Sequence, residues 1–470
     1  MRSPRTARFC GPLAVVALLW GGPIGLGRAQ SPNLRMGNPS EAQADPNLKN
    51  NYLLDRPAFA TSYDNARGTP NWVSWRLSKE DLGHAPRDNF YADADLPAGF
   101  LRVDPAEYVG SGFDRGHMCP HGDRTATAEA SLATFSMTNV IPQAHNLNTM
   151  AWESLENYCR DLAENQGKVC YIIAGPSGQG GTGKNGPRQT TPDGKVVVPV
   201  QNWKVIMVLD QDVASAADLT ARATIRLIAA IMPNDDGAVG DDWTPFQATV
   251  NQVEALTGYT FFGAADPAVI GPLKGPGGRS TSPATVPTLL PVRGRIEPFA
   301  DDRPARQAPA PQAPARTPTA MLGPTARARP APPENPAMPD SPAVNILKKA
   351  VQGLTYPSEA DEPFEVTSWG EAAGTLTDAR LWHLARQDPE ARLERVPLDP
   401  FFDRLIKPKH PHGQVNPATA QRFAALLQAI RSELADVEVV RFGRSEVAIY
   451  IIGRTRDGKL VAIRTAATET

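Results

Sequence analysis

Cysteine is scarce in this chain, with four residues in 470. Cys10 lies in the N-terminal segment, so three cysteines remain beyond residue 30, too few for a fold held together by disulfides. An odd number leaves at least one free thiol or an intermolecular pair. Cys159 and Cys170 are close enough in sequence to bridge, but the sequence leaves that disulfide undecided. Cys119 has no evident base of its own, and we expect it to pack rather than to react.

Net charge is also small, because 48 Lys and Arg residues face 50 Asp and Glu residues and give −2 at pH 7. The chain as a whole is therefore no polycation, and a nucleic-acid partner would have to be bound by local arginines. Long apolar runs are missing beyond the first 30 residues. This excludes a membrane span there and predicts a soluble mature protein.

The N-terminal segment has the layout of a secretory signal peptide. An apolar run follows three early arginines and ends at Gly27-Arg28-Ala29, a small-residue cleavage site. A membrane anchor is the alternative, but the run is short for a bilayer and is broken by Gly21, Gly22 and Pro23. We therefore expect a signal peptide over residues 1–29, cleavage after Ala29, and a secreted or periplasmic protein.

The length exceeds that of one ordinary domain and predicts at least two. Residues 30 to about 50 are polar and predict a disordered lead-in. Between residues 301 and 343 lie 12 of the 46 prolines, so residues 272–340 are expected to form an extended Pro/Ala-rich linker. Folded domains are expected over residues 50–266 and 341–470.

The run Asp114-Arg115-Gly116-His117 places an acid, a base, a glycine and an imidazole at four consecutive positions. Such a run suits neither a core strand nor an amphipathic helix, and indicates a site. Hydrolysis of a phosphodiester needs a base to activate water, a cation for the leaving oxygen and donors for the charge on phosphorus. His117, Asn148 and the arginines supply these groups. A neutral amide is a weak ligand, which suits Mg²⁺ or Mn²⁺ that keeps most of its waters.

The segments around this run predict the order strand, strand, helix. Alternation predicts a strand over 71–77, a second strand over 134–142 is expected to stop at its proline, and a helix is expected over 150–158. On that helix Glu156 and Arg160 share one face, a spacing also typical of an ordinary surface pair. Arg87 lies in a loop, where a solvated surface charge is the plainer interpretation.

Residues 178–185 imitate a phosphate-binding loop after a strand. Asn185 replaces the Ser or Thr that would bind magnesium, and Pro187 does not begin a helix. We therefore interpret the segment as a flexible loop. Further on, residues 252–258 predict a short helix that ends at Gly258.

The C-terminal segment predicts a compact α/β domain of its own. Ser341-Pro342 predicts the start of a helix that runs to Gly353, and a second helix is expected over 417–435. Three strands are expected over 437–442, 447–453 and 460–465, with a hairpin turn at Asp457-Gly458.

At this point the residues resemble a known family, the DNA/RNA non-specific endonucleases of the ββα-metal fold, which include nuclease A. The resemblance extends from about Tyr52 to Phe262 and includes Trp72-Val73 and the segment 257–262. It is strongest in three segments, namely Asp114–Pro120, Thr138–Gln143 and Asn148–Glu156. It implies an α+β fold with a central antiparallel sheet, and a metal-dependent hydrolase of DNA and RNA.

The resemblance also implies residue roles. His117 is the general base and Asn148 the only direct protein ligand of the metal, Mg²⁺ or Mn²⁺. Glu156 holds a metal-bound water and Asp114 orients the site. The phosphate is contacted or stabilised by Arg87, Arg115 and Arg160, and Asn139 is a support. His121 and His145 match no family role.

The C-terminal domain resembles the nuclease A inhibitor family. The resemblance covers about Val344 to Thr470 and rests on the segments 354–365, 399–402 and 450–453 together with Trp369. It implies a small α/β sandwich in which Glu359 engages arginines of a nuclease and Thr470 reaches the catalytic metal. Where that family has an interface tryptophan, this chain has Lys409-His410-Pro411-His412.

Two functional hypotheses follow for the whole chain. In the first, an exported nuclease is held latent by its own fused inhibitor domain until the linker is cut. In the second, the C-terminal domain is an immunity or interaction module that acts in trans on another nuclease. DNA and RNA are the expected substrates in both, and no membrane partner is expected.

Overall fold

The computed structural model describes residues 31–220, 224–237, 240–276, 341–371, 376–388, 391–407 and 416–470. Contacts divide the chain into two compact units, one formed essentially by the residues before 281 and the other by those after it. The predicted signal peptide, nearly all of the predicted linker and the segment 409–412 lie outside the described residues. Within the described ranges no helix combines the length and apolarity needed to cross a membrane.

The first unit is built on a seven-stranded sheet with the order β1-β2-β3-β6-β9-β10-β11. Its six strands from β1 to β10 in this order are antiparallel to their neighbours. Two small two-stranded sheets, β4-β5 and β7-β8, accompany it. The strands are β1 (Tyr52–Asp55), β2 (Ala60–Asp64), β3 (Thr69–Leu77), β4 (Asp114–His117), β5 (Val140–Gln143), β6 (Val169–Ser177), β7 (Gly181–Gly183), β8 (Gly186–Arg188), β9 (Gln201–Leu209), β10 (Ile225–Pro233) and β11 (Gln247–Ala248).

The helices of this unit are short apart from one. They are α1 (Ala128–Thr134), α2 (His145–Leu147), α3 (Glu153–Glu164), α4 (Val250–Thr257) and α5 (Pro267–Ile270), and a π-helical turn (Asn148–Trp152) joins α2 to α3. The helix predicted over 150–158 is therefore confirmed and is longer than predicted. Helix α4 ends at Gly258 in the left-handed conformation, as predicted.

The second strand of the predicted strand-strand-helix order was placed too early. The chain is helical up to Thr134, makes a 3₁₀ turn over Met137–Asn139 and pairs with β4 only from Val140. Pro142 lies inside β5 rather than after it, which is possible because a proline is tolerated where the strand has no partner for its missing N–H. The predicted first strand, 71–77, belongs to β3 of the large sheet, and the ββα unit implied by the resemblance is formed instead by β4, β5 and α3.

Residues 31–50 are ordered, so the prediction of a disordered lead-in was wrong. The backbone carbonyl of Asn33 accepts a hydrogen bond from Oγ of Ser74 on β3 at 2.6 Å. The side-chain amide of Asn33 donates to the carbonyl of Arg56, and Leu34 and Met36 are buried in the core of the sheet. These partners lie more than 20 positions away along the chain, so the composition of residues 31–50 alone does not reveal them.

The segment 178–185 is not a flexible loop, contrary to the prediction. Most of it belongs to the hairpin β7-β8, which pairs Gly181 with Arg188. Asn234 holds this hairpin because its carbonyl accepts a hydrogen bond from the Thr182 N–H at 2.9 Å. No helix follows the hairpin, so the segment lacks the helix N-terminus of a phosphate-binding loop.

The C-terminal unit is an antiparallel five-stranded sheet with the order β14-β18-β17-β16-β15. Helices α6, α8 and α9 pack on one face, and Leu381 and Ala385 of α7 belong to a second apolar cluster with strand residues such as Val440. The unit is thus the predicted α/β sandwich. Its elements are α6 (Pro342–Val351), β12 (Thr355–Tyr356), β13 (Glu362–Pro363), β14 (Glu365–Glu371), α7 (Asp378–Ala385), β15 (Leu393–Val396), α8 (Leu398–Ile406), α9 (Pro417–Glu433), β16 (Ala435–Phe442), β17 (Glu446–Arg454) and β18 (Lys459–Thr468).

Cys119, Cys159 and Cys170 are all free and buried in the structure. Burial raises the pKa of the Cys159 thiol to about 12 and raises that of the Cys119 thiol further. Since the thiolate is the reactive form, we expect the folded protein to react slowly with Ellman's reagent at pH 8. After denaturation without reductant, residues 31–470 should release three thiols per chain. A count of one would mean that Cys159 and Cys170 form the disulfide instead.

Candidate active site

The motif Asp114–His117 forms a buried strand, β4, so the expectation that it suits no core strand was wrong. Burial is possible because its polar side chains have partners, among them His145 for Asp114 and the carbonyl of Pro105 for Arg115.

Asn139 holds the strand in place. The ladder pairs His117 with Val140, and the Met118 N–H then donates to the carbonyl of Asn139 at 2.9 Å. The side chain of Asn139 continues the pairing, accepting from the Cys119 N–H at 2.9 Å and donating to the Cys119 carbonyl at 2.8 Å. Asn139, which was predicted to be a support, therefore fixes the end of the strand that bears His117.

Gly116 is needed because the side chain of Gln143 covers it. A Cβ atom at this position would lie 2.0 Å from Oε1 and 2.5 Å from Cβ of Gln143. Such contacts are far inside van der Waals distance, and the ladder leaves little room for either strand to move. The glycine of the motif thus permits β4 and β5 to pair with a full side chain across them.

Asp114 binds two side chains of the segment that follows β5. Its Oδ2 lies 2.9 Å from Nδ1 of His145 and accepts a hydrogen bond from Nδ2 of Asn148 at 3.1 Å. Both Asp114 and Asn148 are buried. Because the amide nitrogen of Asn148 is turned toward the carboxylate, its amide oxygen is turned away from it. Asp114 therefore orients Asn148, the predicted metal ligand.

The imidazole of His117 is buried among aromatic rings. Its centroid lies 5.2 Å from that of Phe135 in an edge-to-face arrangement and 5.0 Å from that of Phe90. Phe135 also contacts the ring of His121, at 5.6 Å. Rings on two sides restrict the rotation of the imidazole, which fixes the direction of its nitrogen atoms.

Two predicted arginines contact the same aromatic rings. The guanidinium of Arg115 lies 6.0 Å from the centroid of Phe90, and its Nε and Nη2 donate to the carbonyl of Pro105 at 3.0 and 2.7 Å. The guanidinium of Arg87 lies 5.4 Å from the centroid of Phe135. Arg87 is therefore not the isolated surface charge that its loop alone suggested, since the structure places it beside the ring that packs on His117.

Glu156 projects from α3 and is buried, with 3% of its surface exposed. Its Oε1 lies 2.9 Å from Nζ of Lys204 on β9. Among the residues that the structure describes, its Oε2 has no hydrogen-bond partner. Burial raises the pKa of the Glu156 carboxyl to about 7, against the opposing effect of Lys204 and Arg160.

Arg160 lies one turn beyond Glu156 and is held by Asp123. Its Nη1 is 3.1 Å from Oδ1 of Asp123, whose Oδ2 accepts a hydrogen bond from Nε1 of Trp75 at 2.9 Å. Its Nη2 donates to the side chain of Asn157 at 2.8 Å. Glu156 and Arg160 are therefore not an ordinary surface pair, since each binds a buried partner outside the helix.

The sequence that forms this site is similar to those of known proteins. Residues 37–268 match the family model for DNA/RNA non-specific endonucleases. A nuclease from Nostoc sp. is 44% identical over 238 residues, a match that spans 50% of this chain and 82% of the Nostoc protein. The chain belongs to the DNA/RNA non-specific endonuclease family.

A second sequence relative agrees with this assignment. Nuclease C1 of Cunninghamella echinulata var. echinulata is 32% identical over 256 residues, which span 52% of this chain and 94% of that protein. A solved structure of an EndoG/EndoGI complex aligns with a TM-score of 0.41 at 23% identity, over 50% of this chain and 92% of that chain. Nuclease C1 therefore consists almost entirely of sequence that matches this chain.

Residues 341–470 match the family model for nuclease A inhibitor-like protein. In this inhibitor-like domain the Glu359 N–H donates to the carbonyl of Thr468 at 3.3 Å, and the Thr468 N–H donates to Oγ of Ser358 at 3.2 Å. The segment that bears Glu359 therefore runs beside the end of β18, and Thr470 follows two residues later. The two predicted inhibitor contacts belong to neighbouring segments of one domain.

Three residues of the endonuclease domain that interact with the predicted site were not predicted to do so. Lys204 binds Glu156, Asp123 binds Arg160, and His145 binds Asp114. Asp123 and His145 lie near the motif and offered a weak signal, whereas Lys204 stands in an apolar strand with no motif around it. Across the described residues, no group of three or more His, Cys, Asp or Glu side chains is arranged to hold a metal ion.

Proposed function

We propose that the endonuclease domain hydrolyses phosphodiester bonds of DNA and RNA with a divalent metal ion, Mg²⁺ or Mn²⁺, and with His117 as the general base. The observation that carries the proposal is the hydrogen bond from Nδ2 of Asn148 to Asp114 at 3.1 Å. It fixes which end of the amide is turned to the carboxylate and so presents the amide oxygen as a ligand. Amide and carboxylate oxygens are the ligands that hard divalent cations prefer.

The residues present fit such an ion. Asn148 offers one neutral oxygen, and the buried Oε2 of Glu156 has no hydrogen-bond partner among the described residues. One direct protein ligand with a nearby carboxylate suits an ion that keeps most of its waters, with Glu156 accepting a hydrogen bond from one of them. When bound, the ion would supply Lewis-acid stabilisation of the charge that develops on the phosphate and the leaving oxygen.

The protein's own groups perform the remaining chemistry. His117 takes a proton from the attacking water, a task suited to an imidazole whose ordinary pKa lies near neutrality. Arg87, Arg115 and Arg160 supply positive charge for the phosphate oxygens. Asp114 orients Asn148, and Asn139 fixes the strand that bears His117. Each of these roles is directed at the water, the metal or the phosphate rather than at a base, which suits a nuclease without sequence preference.

Removal of the metal and of its proposed ligand tests this function. We expect EDTA to abolish plasmid cleavage and Mg²⁺ or Mn²⁺ to restore it in the wild type. Asn148→Ala should lower cleavage by about 10- to 100-fold at limiting metal and should raise the metal concentration required for half-maximal activity. Cleavage is measured on supercoiled plasmid and on RNA across a metal titration.

Asn146→Ala is the matched control, because the same residue type stands two positions earlier and its side-chain Nδ2 donates to the carbonyl of Asp236 rather than to Asp114. It should leave the metal requirement unchanged. Cleavage that persists in EDTA, or an unaltered metal requirement in Asn148→Ala, would contradict the proposed role of Asn148.

We further propose that the protein is exported and that the inhibitor-like domain suppresses the endonuclease domain of the same chain, through Glu359 and Thr470. Support comes from the adjacency of the Glu359 segment and the end of β18 within one domain, which brings an acidic group and a hydroxyl group together. A pair of this kind suits a site that contains arginines and a cation.

A further inference from the structure

Lys204 is an unusual residue for its place in the fold. It lies in the middle of β9, a central strand of the sheet, between Trp203 and Val205, and only 1% of its surface is exposed. Its ammonium group lies 4.0 Å from the ring centroid of Trp152 and 5.9 Å from that of Trp75. A buried ammonium is costly unless it is paired, so the contacts of this residue need a physical explanation.

The partner of Lys204 is Glu156, at 2.9 Å between Nζ and Oε1. Lys204 reaches it from the sheet, whereas Glu156 projects from the helix of the ββα unit, so the pair joins the two layers beneath the site. Next to it lies the second pair, Arg160 with Asp123. Removal of Lys204 alone would leave Glu156 buried without its basic partner.

Stability alone does not account for a lysine at this position. Replacement of a buried ion pair by apolar side chains of similar size is often neutral or stabilising, because desolvation offsets the attraction between the charges. On its own face of β9 the neighbours of Lys204 are Asn202 and Ile206, and its ammonium group lies among the rings of Trp152 and Trp75, so a Met would also find apolar contacts there. The feature that an apolar residue could not provide is a donor that fixes one oxygen of Glu156.

We propose that Lys204 is a positioning residue for the nuclease reaction, which holds Oε1 of Glu156 and so orients Oε2 toward the metal-bound water. The proposal rests on the proposed function of Glu156. Lys204 touches neither the phosphate nor the metal, and it acts through the carboxylate alone. The rings of Trp152 and Trp75 limit the movement of its ammonium group and hence of the carboxylate.

A double-mutant cycle between Lys204 and Glu156 tests this inference. Lys204→Met, Glu156→Gln and the double variant are compared with the wild type in the full chain and in a chain of residues 31–276. We expect Lys204→Met to lower kcat by about 10- to 100-fold, with KM for DNA within about threefold. The double variant should be no slower than Glu156→Gln, since Lys204 has no effect once the carboxylate is gone. Effects that multiply would overturn the proposal.

Direct measurement of metal binding separates positioning from a merely structural role. Mn²⁺ binding, followed by electron paramagnetic resonance without substrate, should be weaker in Lys204→Met than in the wild type, by up to about 100-fold. Lys168→Met is the matched control, because that lysine of the same unit binds Asp210 at the surface, at 2.7 Å. It should change neither kcat nor Mn²⁺ binding. A lower Tm in Lys204→Met with kcat and Mn²⁺ binding unchanged would overturn the proposal.

The outcomes also separate this inference from the proposed function. Full activity of Glu156→Gln, or cleavage without metal, would refute the proposed function itself. An impaired Glu156→Gln beside a fully active Lys204→Met would overturn the role of Lys204 only. Should Lys204→Met lose its thermal transition, Lys204→Gln retains a donor on a side chain of similar length and is measured in the same cycle.

Discussion

Replacement of His117 with alanine is expected to lower the rate of DNA and RNA cleavage by about 10²–10⁴-fold. The loss follows from removal of the group that takes the proton from the attacking water, while the arginines that bind the phosphate remain. The effect should therefore appear in kcat, with KM for DNA changed by less than about threefold. It is measured with steady-state cleavage of a fluorescent DNA substrate at saturating Mg²⁺ by residues 31–276.

His121→Ala provides the control for this experiment. His121 lies four residues from His117 and packs on the same ring, Phe135, but it has no role in the proposed mechanism. We expect it to retain kcat within a few-fold, so that loss in His117→Ala cannot be attributed to the aromatic cluster. Cleavage by His117→Ala at more than a tenth of the wild-type rate would mean that another group is the base.

Removal of the inhibitor-like domain is expected to raise activity by about 10³-fold or more. Treated as a flexible chain, the predicted linker of about 70 residues would have an r.m.s. span of roughly 45 Å and would give an effective concentration on the order of mM. If the two domains bind with a dissociation constant of about 1 μM, this concentration would leave roughly one active molecule in a thousand. The comparison is plasmid cleavage by the full chain and by residues 31–276, which keep the buried Ile270 and the ion pair between Lys274 and Glu254.

Point variants in the full chain identify the contacts that keep the endonuclease domain inactive. Glu359→Gln and a chain that lacks Thr470 should each recover part of the activity, whereas Glu446→Gln, a change of the same type on β17, should recover none. Equal rates for the full chain and for residues 31–276 would refute latency. In that case the C-terminal domain would be assayed against other nucleases, and inhibition in trans that depends on Thr470 would identify an immunity module.

Elements with strong local periodicity could be predicted from the sequence, and elements fixed by distant partners could not. Helices α3 and α9 follow from the spacing of their apolar residues, because each buries one face. Strand β3 was predicted from its alternation, although the structure buries residues on both of its faces. The start of β5 was misplaced, since Thr134–Asn139 alternates like a strand but is occupied by helical turns. The ordered course of residues 31–36 depends on Ser74 and the backbone near Arg56, which no local pattern contains.

The residues of the site also fall into those that the sequence revealed and those that it did not. Asp114 and His117 stood out because four chemically unlike residues are adjacent, and the resemblance supplied Asn148 and Glu156 with their roles. Lys204 was missed because a lysine in an apolar strand gives no sign of its partner, 48 positions away on another layer. Buried pairs between layers arise from packing, and one sequence does not record which positions face each other.

The amide of Asn139 has a further consequence. By bonding to both the N–H and the carbonyl of Cys119, this side chain imitates one more residue of a neighbouring strand. It also donates to the carbonyl of Thr134 at 2.8 Å. The one side chain therefore fixes both ends of the segment between Cys119 and Thr134. Asp123, which holds Arg160, lies within that segment, and Phe135, which packs on the imidazole of His117, follows it directly. The strand that bears His117 and the segment that supplies the partner of Arg160 are therefore tied to one another through a single amide.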